Sequence, residues 1–164
     1  MYLIAHDVFM GKWSDDIHAE WTRNLINDGR EKSKVLRTKK LMDDNFPDAL
    51  VRNYRTVVKN LSLPDQGDRH VLAVAIKSDA KFIVTENLKH FPKKYLPENI
   101  KAISADDFLF HLSEQKPLQV LGAVKAHRTS LKNPPFEIPE YIQARKNQGL
   151  KAFALFLMEH SVAL

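Results

Sequence analysis

Between Trp13 and Leu25 apolar residues return at four-residue steps, Ile17, Trp21 and Leu25, behind a polar opening of Ser14, Asp15 and Asp16. A hydroxyl followed by two acids marks a helix start, so Ser14 is the expected N-cap and Glu20 lies within the helix that follows. A second helical stretch, from about Arg30 to Asn45, is expected to turn Val35, Leu36, Leu41 and Met42 inward and its basic residues outward, ending at Phe46-Pro47-Asp48. Ala49-Leu50-Val51 and Thr56-Val57-Val58 are short β-favouring pieces and read as connecting structure.

The strongest local signal comes next. A polar turn, Leu63 to His70, opens onto the continuous apolar run Val71 to Ile76, predicting a buried helix with acids clustered at its mouth. Lys81-Phe82-Ile83-Val84-Thr85 has the composition of a buried parallel strand, and the polar loop Glu86 to Pro92 follows it. Lys101-Ala102-Ile103 and a helix capped by Ser104 repeat that order, which predicts an α/β fold with a parallel sheet and crossover helices. From Lys116 the pattern is wholly helical: Pro117 as a first-turn residue, a helix to about Leu131, a break at Asn133-Pro134-Pro135, and two short helices divided near Gly149. Phe153, Phe156 and Leu157 fall on one side of the last. Residues 1–114 therefore read as one α/β domain and 115–164 as a helical extension that buries apolar surface against the core or a second copy.

Composition narrows the chemistry. With 164 residues the chain suffices for one domain with a real core, and its longest apolar runs fall far below the roughly 18 to 20 residues of a membrane span. The first residues lack the features of a signal peptide, so the chain is expected to be cytoplasmic. The sequence contains no cysteine, which excludes disulfides, thiol nucleophiles and cysteine-bound zinc or iron–sulfur centres. No phosphate-binding glycine loop occurs among its five glycines. The net charge of +5 is compatible with a polyanionic partner, and Arg30, Lys32, Lys34, Arg37, Lys39 and Lys40 are crowded into eleven residues with one acid, Glu31. A solvated helix face is the simpler reading of that crowding, and nucleic-acid contact the other.

Ligands of open α/β sheets bind outside the carboxyl ends of the parallel strands, which here means the loop containing Asn87. Asp65 and Asp68, in the turn that opens the buried helix, are spaced to point into a common space, and Glu20 could supply a third carboxylate from another helix. Carboxylates with an amide oxygen are hard ligands suited to Mg²⁺ or Mn²⁺. Each has a plainer reading: Asp65 as a turn or capping acid, Asp68 as a helix-dipole partner, Glu20 as a solvated acid, Asn87 as a turn residue. His18 and His70 adjoin these acids in sequence, and packing or hydrogen bonding accounts for them better than ligation.

These same stretches resemble the PIN-domain ribonucleases, in particular the bacterial VapC-type toxins of type II toxin–antitoxin pairs. The resemblance runs through Trp13 to Trp21, Phe46-Pro47-Asp48-Ala49, Leu63 to Ala75, Thr85 to Pro92, Leu131 to Pro135 and Gln148-Gly149-Leu150. It implies a three-layer α/β/α fold with a parallel sheet, and Mg²⁺- or Mn²⁺-dependent endoribonuclease activity. Glu20 matches the family's helix glutamate and Asp68 the acid at the mouth of the central helix, with Asp65 an accessory acid and Asn87 standing where many relatives carry aspartate. Arg37, Lys40, Arg69 and Lys89 would hold the RNA backbone, and the implied partners are an RNA substrate, a cognate antitoxin and a second copy in a homodimer.

One departure concerns the beginning. Family members open with a strand ending in an essential aspartate and then a helix, which take about 20 residues, whereas twelve precede Trp13. Tyr2 to Asp7 imitates a strand plus aspartate, but Leu3 to Lys12 reads better as the end of that helix and the next connection. The resemblance thus implies an N-terminally shortened chain of weakened activity, or a non-catalytic module that binds RNA or antitoxin without a complete metal site.

Overall fold

The computed structural model describes all 164 residues. Ser14 is extended, and its Oγ accepts the Ile17 backbone N–H at 3.3 Å, which starts helix α2 (Asp15–Asn27) where the sequence predicts it. Before it, Tyr2–Ala5 form the single turn α1, helical rather than strand. Then come α3 (Lys32–Asn45), a 3₁₀ turn at Pro47–Ala49, the short α4 (Arg55–Val58), a 3₁₀ turn at Gln66–Asp68 and α5 (Arg69–Lys77). Strand β1 (Phe82–Val84), two 3₁₀ turns, strand β2 (Lys101–Ile103) and four helices follow, α6 (Ala105–Gln115), α7 (Pro117–Ser130), α8 (Ile138–Asn147) and α9 (Lys151–Glu159), and a 3₁₀ turn at Ser161–Ala163 comes last. No helix is long and apolar enough to cross a membrane.

The sheet has two strands, β1 beside β2. The Lys101 N–H donates to the Lys81 carbonyl at 3.0 Å and the Thr85 N–H to the Ile103 carbonyl at 2.9 Å, so both strands ascend together and the pair is parallel. A separate parallel bridge joins Trp13 to Leu50.

Contacts divide the chain into two compact units, one made of residues 11–83 and 87–102, the other of residues 1–10, 84–86 and 103–164. In the first, α5 is the centre. Leu72, Ala73, Val74 and Ala75 are consecutive and all buried, as a helix covered on several sides requires. One side packs with Leu63, Ile83, Phe91 and Ile100, the other with Tyr54 and the half-buried Ile17, Val57 and Val58. Tyr54 also donates its hydroxyl to Asp16 at 2.5 Å, and Arg55 adds a 2.7 Å ion pair to the same carboxylate. The Tyr54 hydrogen bond and the Arg55 guanidinium hold Asp16 below the usual carboxylate range despite partial desolvation.

Several expectations are corrected here. The buried positions of α2 are His18 and Thr22; of the apolar repeat, Ile17 and Trp21 are half-buried and Leu25 is exposed. His18 is fully buried, and its ring answers both neighbours: Trp21 Nε1–H donates to Nδ1 at 2.9 Å, so Nε2 carries the hydrogen given to Asp43 at 2.9 Å. Asp43 also accepts from Trp13 Nε1 at 3.2 Å and Lys39 Nζ at 2.7 Å. On α3 only Val35 is buried; Leu36 and Leu41 face outward. The expected buried strand is shorter than its sequence run, with Ile83 inward and Val84 exposed. Thr56-Val57-Val58 is helical, in α4.

The second unit is helical apart from its strand residues. Helix α1 packs on α7, α6 on α7 and α9, and α8 on α9. Gly149 turns the chain between α8 and α9 at a φ of +89°, a conformation that other residues resist. Phe153, Phe156 and Leu157 are buried as the pattern predicts. Residues 115–164 share this unit with α6 and the N-terminal residues. Asp106, in the first turn of α6, accepts the Ala152 and Phe153 backbone N–H groups, both at 2.9 Å, and so caps α9 from another helix. Its removal leaves two helix-end donors without their acceptor, so Asp106→Ala is expected to cost about 1–2 kcal/mol of stability, read from a denaturant midpoint. An unchanged midpoint would show that water replaces the carboxylate freely.

Candidate functional site

All four acid or amide residues singled out in the sequence belong to the unit built around α5. Asp65 is extended and precedes the 3₁₀ turn; its Oδ1 accepts the Gly67 N–H at 2.8 Å. The plain capping role weighed for Asp65 is therefore real, and it occupies one of the two carboxylate oxygens. Gly67 matters to this arrangement because a Cβ there would lie 3.0 Å from Asp65 Oδ1, so an alanine would displace the carboxylate its own N–H holds.

Asp68 behaves differently. It is the N-cap residue of α5, yet its side chain makes no capping hydrogen bond. Its Oδ2 instead lies 2.7 Å from His90 Nδ1, and Asp65 Oδ2 lies 3.7 Å from the same nitrogen. Asp65, Asp68 and His90 thus each offer one donor atom, all within 4.8 Å of one another. Asp65 is half exposed while Asp68 and His90 are more sheltered, so the group opens to solvent on the Asp65 side.

Glu20 reaches the same end of α5 from α2. Its Oε2 lies 3.5 Å from Nε2 of His70, in the first turn of α5 two residues beyond Asp68. The other ring nitrogen of His70, Nδ1, is buried and has no hydrogen-bond partner. Asn87, past the end of β1, precedes the 3₁₀ turn Leu88–His90, and its carbonyl accepts the His90 N–H at 2.9 Å. The next residue, Phe91, is buried in the core beside α5, which anchors the loop carrying His90.

His90 is the residue that the sequence reading missed. His18 and His70 drew attention because they adjoin the acids, whereas His90 meets Asp68 across 22 residues. The available signal was its place in the loop after β1, where the strand-end rule puts ligands. His18 has the packed, hydrogen-bonded role expected of it.

The basic residues are largely engaged. Lys34 pairs with Glu31 at 3.0 Å, Lys39 with Asp43 at 2.7 Å and Lys40 with Asp44 at 2.6 Å. Two of those acids lie one helical turn beyond the basic run, which is why the run looked unbalanced. Arg69 bonds back to the Gln66 carbonyl at 3.1 Å, whereas Arg37 and Lys89 are exposed. Exposed pairs of this kind exchange readily with other anions because each is worth little in water.

Two carboxylates and an imidazole at one helix mouth form a donor set for a divalent cation, and the α5 N-terminus adds the positive end of a helix dipole toward any bound anion. Residues 1–89, just over half of the chain, match the family model described as PIN domain. Residues 105–159 match the model described as VapC50 C-terminal domain. A protein of Mycobacterium tuberculosis, named as a candidate ribonuclease VapC50, is 46% identical over 74 residues, 42% of this chain and 41% of that relative. The match thus spans less than half the length of the relative. No solved structure matches the chain.

Proposed function

The chain belongs to the PIN-domain family, and on that premise we propose that it is a VapC-type toxin that hydrolyses RNA phosphodiesters with a divalent cation, Mg²⁺ or Mn²⁺. The observation carrying this reading is the Asp65, Asp68 and His90 group at the mouth of α5. Asp68 and Asp65 would hold the cation, with Glu20 and Asn87 completing its surroundings from α2 and the loop after β1. The three-layer arrangement of the family belongs to the same reading, supported by the buried α5 beside a parallel pair of strands.

A divalent cation bound there supplies Lewis acidity, neutralising phosphate charge and making water a stronger acid. The chain's own groups do the rest. Asp68, sheltered and not engaged in capping, presents its side chain to the site beside His90. Asp65 is fixed by the Gly67 N–H and presents its second oxygen. Arg37, Lys40, Arg69 and Lys89 would contact the RNA backbone by charge, without reading bases. A cognate antitoxin, pairing into a homodimer and a cytoplasmic site of action belong to this proposal, in keeping with the VapC50 name of the relative.

The test is cleavage of labelled RNA by the purified chain. Activity is expected in Mg²⁺ or Mn²⁺, to vanish with excess chelator, and to return when the ion is restored. Cleavage that persists undiminished in chelator would refute the proposal.

A further inference from the structure

Ligands at right angles on an ion with bonds of about 2.1 Å lie about 3.0 Å apart, and the His90 Nδ1 distances to Asp68 Oδ2 and Asp65 Oδ2, 2.7 and 3.7 Å, bracket that value. The imidazole therefore stands close to where a ligand of the same ion would stand, on a loop fixed by the 3₁₀ turn Leu88–His90 and by buried Phe91. Nitrogen differs from the oxygens around it: Mg²⁺ is a hard ion that favours oxygen and keeps its waters, whereas first-row transition ions take imidazole readily.

We propose that His90, through Nδ1, is a ligand of the cation held by Asp65 and Asp68, and that it turns the preference of the site from Mg²⁺ toward a first-row transition ion such as Mn²⁺. The proposal rests on reading the site as a divalent-cation nuclease centre. On binding, Nδ1 gives up to solvent the hydrogen it shares with Asp68, the hydrogen bond is exchanged for one bond from each partner to the ion, and the neutral ring carries its one hydrogen on Nε2. Asp65 can keep its bond to the Gly67 N–H, because its capping oxygen and its site-facing oxygen are different atoms.

Calorimetric titration of the full chain with MnCl₂ and with MgCl₂ tests this directly, on wild type, His90→Gln and His90→Asp. Wild type is expected to bind Mn²⁺ at least about 10-fold more tightly than Mg²⁺, and His90→Gln to lose about 10-fold in Mn²⁺ affinity with much less change for Mg²⁺. His90→Asp, which restores an oxygen donor, should bring the two affinities together. In nuclear magnetic resonance spectra of wild type, substoichiometric Mn²⁺ should broaden the His90 ring signals before those of His18. An unchanged affinity ratio in His90→Gln would overturn the proposal while leaving the nuclease reading intact. Absence of ion binding to wild type would overturn it too, and the response of RNA cleavage to chelator would then decide the nuclease reading separately.

Discussion

Replacing Asp68 by asparagine is expected to lower RNA cleavage about 100-fold or more while moving the melting temperature by no more than a few degrees. The two halves of this expectation have separate causes. The carboxylate of Asp68 does no capping work for α5, so an isosteric amide removes little that holds the helix, and its oxygen can still accept from His90. What the amide removes is the more sheltered of the two negative charges in the group formed with Asp65 and His90. A neutral oxygen binds a divalent ion more weakly than an anionic one, and the loss acts on every step that needs the ion. Single-turnover cleavage and a thermal melt of the same preparation check both halves. Cleavage within threefold of wild type would place the centre elsewhere, and a collapse of the melt would give Asp68 a structural role instead.

The largest loss of stability is expected from His18→Ala, about 3 kcal/mol, or roughly 6–12 °C in melting temperature for a chain of this size. His18 is fully buried between the rings of Trp13 and Trp21, each 5.7 Å away between centroids. Truncation opens a void and also strips Trp21 Nε1–H of its acceptor and Asp43 of a donor. Burial pushes the Asp43 carboxyl up, but Lys39, His18 and Trp13 together outweigh it and hold the group below its ordinary range. A lowered pKa gives stability that is present above the ordinary carboxylate pKa, near 4, and fades as the pH falls through the lowered value. The acid limb of a stability–pH curve should therefore flatten in the variant. A melting shift under 2 °C would show that the pocket closes over the missing ring.

Local patterning was legible wherever one stretch of chain decides its own structure. The Ser14 cap, the apolar run of α5, the Ser104 cap, the Pro117 start and the Gly149 turn all follow from neighbours a few residues apart. The errors share a different cause. The apolar repeat Ile17, Trp21, Leu25 does not show that the fully buried side chain of α2 is His18, which Asp43, distant in sequence, holds by a hydrogen bond. Leu36 and Leu41 looked inward because apolar residues usually do, and nothing along α3 says that only Val35 is buried. The candidate site was half legible: the acids could be read from the α5 mouth, and Glu20 does reach that same turn through His70. The pairing of His90 with Asp68 and the capping of α9 by Asp106 could not, because both join side chains to groups far along the chain.

The small turn that fastens Asp65 to the Gly67 amide also restricts how that carboxylate can serve a cation. With one oxygen committed to the backbone, Asp65 offers a single tooth, and chelation through both oxygens would first have to break the turn. Calcium favours two-toothed carboxylates and crowded shells of six to eight oxygens, whereas smaller octahedral ions are content with one oxygen from each acid. On the proposed reading of the site, a glycine and a backbone N–H would thereby disfavour calcium, ahead of any choice made by the other ligands.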